Sequence, residues 1–373
     1  MKITNVETFR VKIPLKPERR MISALGKHDE SHFVIVRIST DAGIEGVGEA
    51  TCTAIWSGET PWGAEAVIEH VLGPAILGKD PREIAEIDRA MDSLCNHNWF
   101  AKSALEMACW DIAGKDAGKP VYELLGGAQR PLTFRCRFSM GAYDRERARR
   151  RSAELVKEGF QTIKVKVGRD VAEDIERVRI VREEIGPERE IYIDANCGWD
   201  AETAINAVKR MDEMGLNVAM FEQPTPDGDY AGMARVRREI RPLVMADDIC
   251  FNFMHAQELI RNECCDLISL YPGKNGGIRK AARIAAYAEG HQIACSIGSN
   301  LEWDIGTAAM AHLVVGSRNM QVERFPGDVL GPEYHEISIA KNPVQIEGPM
   351  VTCPSGPGLG VDVDWGIVEQ QRC

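Results

Sequence analysis

The stretch QTIKVKVG, residues 161–168, combines a short apolar run with two lysines one residue apart, Lys164 and Lys166. A run of isoleucine and valine that ends at a glycine is typical of a β-strand that leads into a loop. Residues two apart in a strand lie on the same face, so both lysine side chains point the same way. The stretch therefore predicts a strand with two cationic groups on one face near its carboxyl end.

Three further apolar runs each end in an acid, at Asp194 in IYIDAN, Glu222 in VAMFEQP and Asp247 in LVMADD. The carboxyl ends of parallel barrel strands open on one face, which carries the active site. The acids are 28 and 25 residues apart, about one strand-helix repeat each. One such acid alone is best explained as a solvated strand end or a helix cap. Three in register after a lysine pair favour a site for one hard divalent cation, which takes oxygen ligands.

The region from residue 128 onward alternates short apolar runs with helical patterns, which predicts parallel strand-helix units. In DVAEDIERVRIVREEIG, apolar residues recur at helical spacing, Asp170 can cap the start and Gly186 can end the helix. Further helices are predicted at 201–214 and 277–289. Eight strands, which would close a barrel, are predicted near 133–140, 161–167, 191–195, 218–222, 243–247, 266–271, 292–297 and 319–323.

The segment before the barrel has a different pattern. Residues 3–11, 32–40 and 44–52 read as strands, with an Asp41-Ala42-Gly43 turn between the last two, and helices are predicted near 62–76, 82–95 and 100–117. We therefore predict an α+β domain over 1–127 and a barrel over 128–330. The Pro- and Gly-rich segment 331–373 is predicted to pack back on the first domain.

Composition limits the class of protein. The net charge is −11 and no basic stretch offers a phosphate-binding patch, so nucleic acid is not an expected partner. No apolar run approaches membrane-spanning length, and the N-terminus has no signal-like apolar core. The 11 cysteines include no CxxC pair, which favours reduced thiols and a cytoplasmic location. We expect a homo-oligomer that acts on a small carboxylate.

Several motifs together resemble the enolase superfamily, in its mandelate racemase and muconate lactonizing branch. They are GIEGVGEAT, FAKSALEMACWDIAGK, KVKVG, the three acids, GKNGGI, SNLEWDIGTAAMAHL and PGLGVDVD, and they span nearly the whole chain. The ADD run and Glu302 are more similar to the muconate lactonizing subgroup. The resemblance implies a modified (β/α)7β TIM barrel under an α+β N-terminal capping domain. It also implies Mg²⁺, with Mn²⁺ as the alternative, bound by Asp194, Glu222 and Asp247.

The shared step of that family is removal of the proton α to a substrate carboxylate, which gives an enediolate. By resemblance Lys166 is the acid/base and Lys164 its electrostatic partner near the carboxylate. The physical chemistry agrees, because a divalent cation offsets the negative charge that develops in this step. A free lysine has a pKa of about 10.4. A second ammonium group and a metal nearby would lower the pKa of Lys166 toward that of a working base.

The sequence departs from the muconate lactonizing pattern on the sixth strand, where Tyr271 in LYPGKNGG stands in place of a second lysine. Lys274 is nearby but out of strand register. Strand seven has no histidine at its carboxyl end, since His291 lies at its start. Tyr271 could donate a hydrogen bond, act as a general acid or only form a wall. A binding or wall role is favoured because phenols ionise reluctantly near neutral pH.

Other candidate site residues have two interpretations each. Trp56 can line the pocket or pack the domain interface, and Asn196 shares a strand face with Asp194 and can support it by a hydrogen bond. Glu302 is placed near the end of strand seven as a substrate-binding residue. Lys274 lies in a glycine-rich turn whose amides could meet an anion, although a simple tight turn explains it equally well.

Because the face opposite Lys166 has no ordinary base, we expect proton transfer on one face only. That favours a Mg²⁺-dependent lyase or cycloisomerase, such as an acid-sugar dehydratase or a muconate-cycloisomerase-like enzyme. Two alternatives stay open. One is a racemase or epimerase that uses Tyr271 as the second acid/base. The other is a carboxylate-binding protein on the same fold that has lost catalysis.

Overall fold

The structure is a computed structural model that describes all 373 residues. Its N-terminal part begins with five strands: β1 (Ile3–Pro14), β2 (Met21–Ser23), β3 (Gly26–His28), β4 (Glu30–Thr40) and β5 (Glu45–Cys52). An antiparallel sheet has the order β1-β4-β5, and β2 and β3 form a separate hairpin that the sequence did not indicate. A 3₁₀ turn at Pro17–Arg19 leads into this hairpin.

Six helices follow: α1 (Ala54–Ser57), α2 (Pro61–Val67), α3 (Gly73–Ile76), α4 (Ile84–Asp92), α5 (Trp99–Ala117) and α6 (Val121–Leu124). The predicted helix over 62–76 is interrupted by a π-helical turn at Ile68–Leu72. Helix α5 is buried on nearly all sides because it lies between the sheet and the barrel. Gly48 of β5 allows this approach, since a Cβ there would lie 1.8 Å from the carbonyl oxygen of Ala104.

The barrel region alternates strands and helices, as predicted. Its elements are β6 (Thr133–Arg135), β7 (Phe138–Met140), α7 (Arg145–Lys157), β8 (Thr162–Lys166), α8 (Val171–Ile185), β9 (Glu190–Asp194), α9 (Ala201–Glu213), β10 (Val218–Glu222), α10 (Tyr230–Glu239), β11 (Leu243–Ala246), α11 (Phe253–Arg261), β12 (Leu267–Leu270), α12 (Pro272–Asn275), α13 (Ile278–Gly290), β13 (Ala294–Ile297) and α14 (Asp304–Gly316). Strands β7 to β13 form one sheet of seven parallel strands in chain order. This arrangement confirms the predicted fold class.

The eighth position of the barrel differs from the prediction. No strand forms near 319–323; instead Met320 and Gly327 make single parallel bridges to Cys295 and Cys136. Pro326 has no N–H to donate to a ladder, which helps to interrupt a regular strand here. Gly327 passes very close to β13, because a Cβ on it would lie 2.2 Å from the carbonyl oxygen of Ile297. The predicted first strand is also divided, and only β7 joins the barrel sheet.

Helix α8 shows how local sequence sets these elements. Its N-cap Asp170 accepts a hydrogen bond from the N–H of Glu173, and Gly186 is its C-cap. Both ends match the prediction. At α13 the cap comes from the other domain: the buried carboxylate of Glu106 in α5 accepts the N–H groups of Ile278 and Arg279, each at 2.8 Å. This contact fixes the N-terminal part on the barrel.

The C-terminal segment contains α15 (Gly331–Tyr334), β14 (Gln345–Glu347), β15 (Met350–Thr352) and α16 (Trp365–Gln370). Strand β15 pairs with β6, and Arg372 pairs with Val11 of β1. The segment thus contacts both the barrel region and the first sheet, while the domain boundaries near residues 127 and 330 stay predictions. None of the helices is both long and apolar enough to cross a lipid bilayer.

Candidate active site

Lys164 and Lys166 lie on the same face of β8, as their spacing predicts, and both are largely buried at the barrel mouth. The backbone register pairs Lys166 with Asp194 on β9, and Asp194 in turn with Glu222 on β10. Neighbouring parallel strands therefore bring the lysines and two of the acids to one level of the barrel.

The two lysines bind those acids directly. The ammonium nitrogen of Lys164 lies 2.6 Å from Glu222 Oε1 and 2.9 Å from Asp194 Oδ2. Lys166 Nζ lies 2.6 Å from the same Asp194 oxygen and donates to Asn196 Oδ1 at 2.6 Å. The N–H of Asn196 donates to the other Asp194 oxygen at 2.9 Å. Asn196 therefore supports both the acid and the lysine.

These ion pairs change the acidity of the buried groups. Burial alone would raise the pKa of Asp194, but the ammonium groups of Lys164 and Lys166 outweigh it and hold that pKa well below its ordinary value. Burial alone would lower the pKa of Lys164, but the carboxylates of Asp194 and Glu222 outweigh it and raise that pKa. In the structure Lys164 is thus a firmly held cation.

The remaining acids are also balanced by cations. Glu222 accepts a second bond, at 2.8 Å, from the guanidinium of Arg137, which is fully buried. Asp247 Oδ1 accepts from Lys274 Nζ at 2.6 Å, and Lys274 also donates to the carbonyl oxygen of Ser269 at 2.8 Å. Unpaired charges would be very costly at this depth, so each of these acids has a cationic partner.

The three predicted metal ligands do not form a ready metal cluster in this arrangement, and no group of three His, Cys, Asp or Glu side chains does. The donor set nevertheless fits a hard divalent cation, which takes carboxylate oxygens. Asp194 and Glu222 already converge on one cation, the ammonium group of Lys164. Asp247 lines the same cavity. The assignment of these three acids to a metal stays a prediction.

Tyr271 directly follows β12, the strand opposite β8 in the barrel order, and its ring is buried. Burial, assisted by the nearby carboxylate of Asp247, raises the pKa of Tyr271 well above its ordinary value. Gly298 makes room for the ring, since a Cβ there would lie 2.7 Å from Tyr271 Cε1. The phenol is therefore a neutral group at the cavity wall.

The cavity over these residues has a volume of about 110 Å³ and lies between the barrel mouth and the N-terminal part. Lys164, Lys166, Asn196, Asp247 and Tyr271 line it from the barrel. The hairpin of β2 and β3, together with Thr53, Ile55 and Trp56 near α1, covers it from the other side. Of the predicted site residues, the structure brings six together at this cavity: Lys164, Lys166, Asn196, Asp247, Tyr271 and Trp56.

Two predicted substrate-binding residues lie outside the cavity lining. Glu302 is buried beneath the turn after β13, where it accepts bonds from Ser299 Oγ at 2.7 Å and from the N–H of Asn300. Burial raises the pKa of Glu302 to about 7. Lys274 is fully buried behind Asp247. In these positions Glu302 supports a turn and Lys274 neutralises an acid.

Sequence reasoning missed several residues at the site. Asp328, which follows the eighth barrel position, lines the cavity. The predicted eighth strand ends near residue 323, so Asp328 was not placed at a strand end. Arg137 and Ser139 alternate on the first strand, but nothing in RCRFSM marks them as site residues. Asp248 also lines the cavity, and burial together with the charge of Asp247 raises its pKa to about 8. The adjacent acids of the ADD run were the available signal for Asp248.

A parallel barrel whose mouth holds a lysine pair and three buried strand-end acids, beneath a domain of sheet and helices, defines a class of proton-transferring barrel enzymes. The chain belongs to the enolase superfamily, in its mandelate racemase and muconate lactonizing branch. Residues 147–367 match the family described as enolase C-terminal domain-like, and residues 3–126 match the mandelate racemase / muconate lactonizing enzyme N-terminal domain. The predicted family is confirmed.

Its relatives are enzymes. The chain is 34% identical over 363 residues to the L-Ala-D/L-Glu epimerase of Bacillus subtilis, which covers 97% of each chain. The dipeptide epimerase of Enterococcus faecalis, solved with Mg and the dipeptide L-Leu-L-Tyr, superimposes with a TM-score of 0.91 at 32% identity, over 97% of this chain and 100% of the other. The 2-chloromuconate cycloisomerase of Rhodococcus opacus superimposes with a TM-score of 0.95 at 26% identity over the full length of both.

Proposed function

We propose that this protein is a Mg²⁺-dependent lyase or cycloisomerase that removes the proton α to the carboxylate of a small acid. Lys166 is the base in this proposal and then acts as the acid on the same face, where it gives the proton to the group that leaves the β-carbon as the double bond forms. The observation that carries the proposal is the pairing of groups across the barrel. Lys166 projects from β8, whereas the opposite position after β12 holds a buried, neutral phenol, Tyr271.

The rest of the cavity supports proton transfer on one face. The residues that line it after β12 and β13 are Tyr271, Ser299, Asn300 and Leu301, and none of them carries an amine or an imidazole. His28 reaches the cavity from the hairpin, but its Nε2 is bonded to Ser31 Oγ at 2.8 Å and burial lowers its pKa to about 4. A phenol with a raised pKa is a poor base. Lys166 is therefore the best placed acid/base group.

The other residues have distinct roles in the proposal. Lys164 would neutralise the substrate carboxylate, because its ammonium group already binds two carboxylates at the barrel mouth. Asn196 would orient Lys166 through the hydrogen bond to Nζ. Asp194, Glu222 and Asp247 would hold the metal. A divalent cation bound there would offset the negative charge that the substrate carboxylate gains when the α-carbon loses its proton.

The proposal differs from the activity named for the epimerase relatives, one of which, the dipeptide epimerase of Enterococcus faecalis, was solved with the dipeptide L-Leu-L-Tyr.

An epimerase is the second candidate, and the 34% identity to the L-Ala-D/L-Glu epimerase of Bacillus subtilis favours it. In that case Tyr271 would deliver a proton to the face opposite Lys166. In this role Tyr271 would act as an acid, in its neutral phenol form, in one direction of the reaction. It would act as a base, in its phenolate form, in the other direction. Burial of the phenol opposes the phenolate form.

Reaction in D₂O separates the two candidates. Acid sugars, muconates and amino-acid derivatives, dipeptides included, are incubated with the Mg²⁺-loaded enzyme, and product and recovered substrate are analysed by NMR and chiral chromatography. We expect an eliminated or cyclised acid, with any deuterium in recovered substrate at the α-carbon and with retained configuration. Tyr271→Phe should keep measurable activity. Deuterium incorporation with inversion that is lost in Tyr271→Phe would establish the epimerase instead.

A further inference from the structure

Arg137 is buried in the barrel, directly before β7, and its side chain is closed off from solvent. One terminal nitrogen of its guanidinium group donates to Glu222 Oε2 at 2.8 Å, and the other donates to the carbonyl oxygen of Pro326 at 3.0 Å. Its backbone N–H donates to the carbonyl oxygen of Gly327 at 2.8 Å. Contacts with the eighth barrel position therefore hold the guanidinium group against Glu222.

The two oxygens of Glu222 have different partners. Oε2 is bonded to Arg137, whereas Oε1 accepts a hydrogen bond from the ammonium group of Lys164 at 2.6 Å. Burial alone would lower the pKa of Arg137, but the carboxylates of Glu222 and Asp328 outweigh it and raise that pKa, so the guanidinium group stays charged. Lys164 lines the cavity at the barrel mouth and Arg137 does not. Oε1 is therefore the oxygen on the side of the cavity.

The other two proposed metal ligands are divided in the same way. Asp194 Oδ1 accepts the backbone N–H of Asn196 at 2.9 Å, and its Oδ2 binds the two lysines of β8. Asp247 Oδ1 accepts from Lys274 Nζ at 2.6 Å, and no hydrogen bond reaches its Oδ2. One oxygen of each acid is thus held by a fixed donor inside the barrel, and the other is left for a cation at the mouth.

The number of carboxylate oxygens that a site offers affects which cation it binds. Mg²⁺ requires nearly octahedral coordination at about 2.0–2.1 Å and keeps several waters, so carboxylates that bind through one oxygen suit it. Ca²⁺ is larger, takes roughly 6–8 oxygens at about 2.3–2.6 Å and accepts carboxylates through both oxygens. Three acids that each offer a single oxygen therefore match Mg²⁺ better than Ca²⁺.

We infer that Arg137 determines which divalent cation the site prefers: it holds Glu222 Oε2 and so limits Glu222 to one metal-binding oxygen, which favours Mg²⁺ over Ca²⁺. This inference rests on the proposed function, because it takes Asp194, Glu222 and Asp247 to be the metal ligands. Arg137 acts through Glu222, so it is a positioning residue. Lys274 has the corresponding effect on Asp247.

The test measures the affinities of Mg²⁺ and Ca²⁺ for the full chain, first freed of metal by a chelator, by titration calorimetry. The proteins are wild type, Arg137→Met, Lys274→Met and Arg151→Met. Arg151 is the matched control, since it is a largely buried arginine that bonds Glu154 and Glu158 and does not line the cavity. Thermal melting verifies that each variant is folded.

We expect the affinity for Ca²⁺ relative to Mg²⁺ to rise by about tenfold or more in Arg137→Met, the scale on which hydrogen-bond partners of metal ligands act. Lys274→Met should shift the ratio in the same direction, because it frees Asp247 Oδ1. Arg151→Met should keep the wild-type ratio. The two metal ions carry the same charge, so the loss of a buried positive charge alone changes both affinities alike. The ratio therefore reports how the carboxylate binds.

Crystal structures test the inference directly, and the wild-type structure does so even where a variant fails to fold. In wild type grown with Mg²⁺, Glu222 should bind the ion through Oε1 alone while Oε2 stays bonded to Arg137. In Arg137→Met grown with Ca²⁺, both Glu222 oxygens should lie within about 2.3–2.6 Å of the ion. Two Glu222 oxygens on the ion in wild type, or one in the variant, would overturn the inference.

Failure of this inference differs from failure of the proposed function. If wild type binds Mg²⁺ and acts on an acid but Arg137→Met keeps the wild-type ratio, only the inference is overturned. If wild type binds neither cation, the proposed function is contradicted and the inference is overturned with it. If the ratio shifts as expected but the enzyme removes no α-proton from any acid, the inference stands and the proposed reaction does not.

Discussion

Lys166 and Asp194 are register partners on neighbouring parallel strands, and their side chains form an ion pair of 2.6 Å at the mouth of the barrel. The pair joins the proposed acid/base to a proposed metal ligand. Both groups are buried, so the ion pair forms largely out of contact with bulk water. Removing Asp194 leaves the ammonium group of Lys166 without a carboxylate partner, whereas removing Lys166 leaves Asp194 paired with Lys164 alone. This difference governs what the variants at the site should do.

Asp194→Asn should remove the effect of Mg²⁺ on stability. Saturating Mg²⁺, at about 100 times its dissociation constant, should stabilise wild type by about 2.7 kcal/mol, because it binds only the folded state. In the variant this gain should be absent. Without metal the variant should be less stable than wild type by roughly 3–5 kcal/mol, since Lys164 and Lys166 lose a buried partner. Denaturant unfolding with and without Mg²⁺ measures both quantities.

Asp200→Asn is the control for that experiment. Asp200 is an exposed acid that caps α9 by accepting the N–H of Thr203. Its replacement should change stability by no more than about 1 kcal/mol and should leave the Mg²⁺ response intact. A full Mg²⁺ response in Asp194→Asn would show that the ion binds elsewhere.

Lys166→Ala should slow α-proton exchange by orders of magnitude while ligand binding persists. Loss of a positioned acid/base should lower the rate of α-proton exchange in D₂O by roughly 10²–10⁴-fold. Lys164→Ala should weaken carboxylate binding as well as slow the reaction, because its ammonium group is the proposed partner of the substrate carboxylate. Exchange rates by NMR and affinities by calorimetry, measured on the same acid, separate the two effects. If Lys166→Ala exchanges the α-proton at nearly the wild-type rate, Lys166 is not the base.

Gly298→Ala should displace the phenol of Tyr271. The new methyl group would lie 2.3 Å from Ser269 Oγ and 2.7 Å from Tyr271 Cε1. Overpacking of this kind costs about 1–3 kcal/mol of stability, and the shifted ring should also reduce substrate affinity. Gly290→Ala, at the end of α13, is the matched substitution, since a Cβ there meets no atom within 4 Å. If both variants unfold at the same denaturant concentration as wild type, the ring is not confined as the structure indicates.

His312 should make the fold sensitive to acid. Its imidazole is fully buried between the N–H of Tyr122 and the carbonyl oxygen of Leu359, and burial lowers its pKa to about 4. In the unfolded chain its pKa is about 6.5. The folded state thus binds the proton less readily, so the contribution of His312 is complete above pH 6.5 and is lost as the pH falls toward 4.

The lowered pKa of His312 can reduce the free energy of unfolding at acid pH by about 3 kcal/mol at most. His312→Gln cannot titrate, so its free energy of unfolding should fall less steeply between pH 6.5 and 4 than that of wild type. Unfolding by guanidinium at several pH values gives both slopes. Parallel slopes for the two proteins would mean that His312 does not contribute to acid sensitivity.

The strands β8 to β10 and the helix α8 were predictable because local signals agree. Each strand is an apolar run that ends at a polar residue, and α8 has an Asp cap at one end and a glycine at the other. The hairpin of β2 and β3 was missed because MISALGKH has no clear alternation of apolar and polar residues. The eighth barrel position was predicted as a strand on its apolar residues, but the bridges at Met320 and Gly327 are isolated.

The sequence by itself determined the barrel, the family and the face of β8 that carries both lysines, because strand periodicity and strand ends are local properties. Only the tertiary structure decided which groups meet. Lys164 binds Glu222 from 58 positions away, and Trp56 reaches Asp248 from 192 positions away, across the two parts of the molecule. Such contacts depend on barrel register and on how the N-terminal part packs on the barrel. Both are set by the burial of apolar surface over the whole chain, which no single motif encodes.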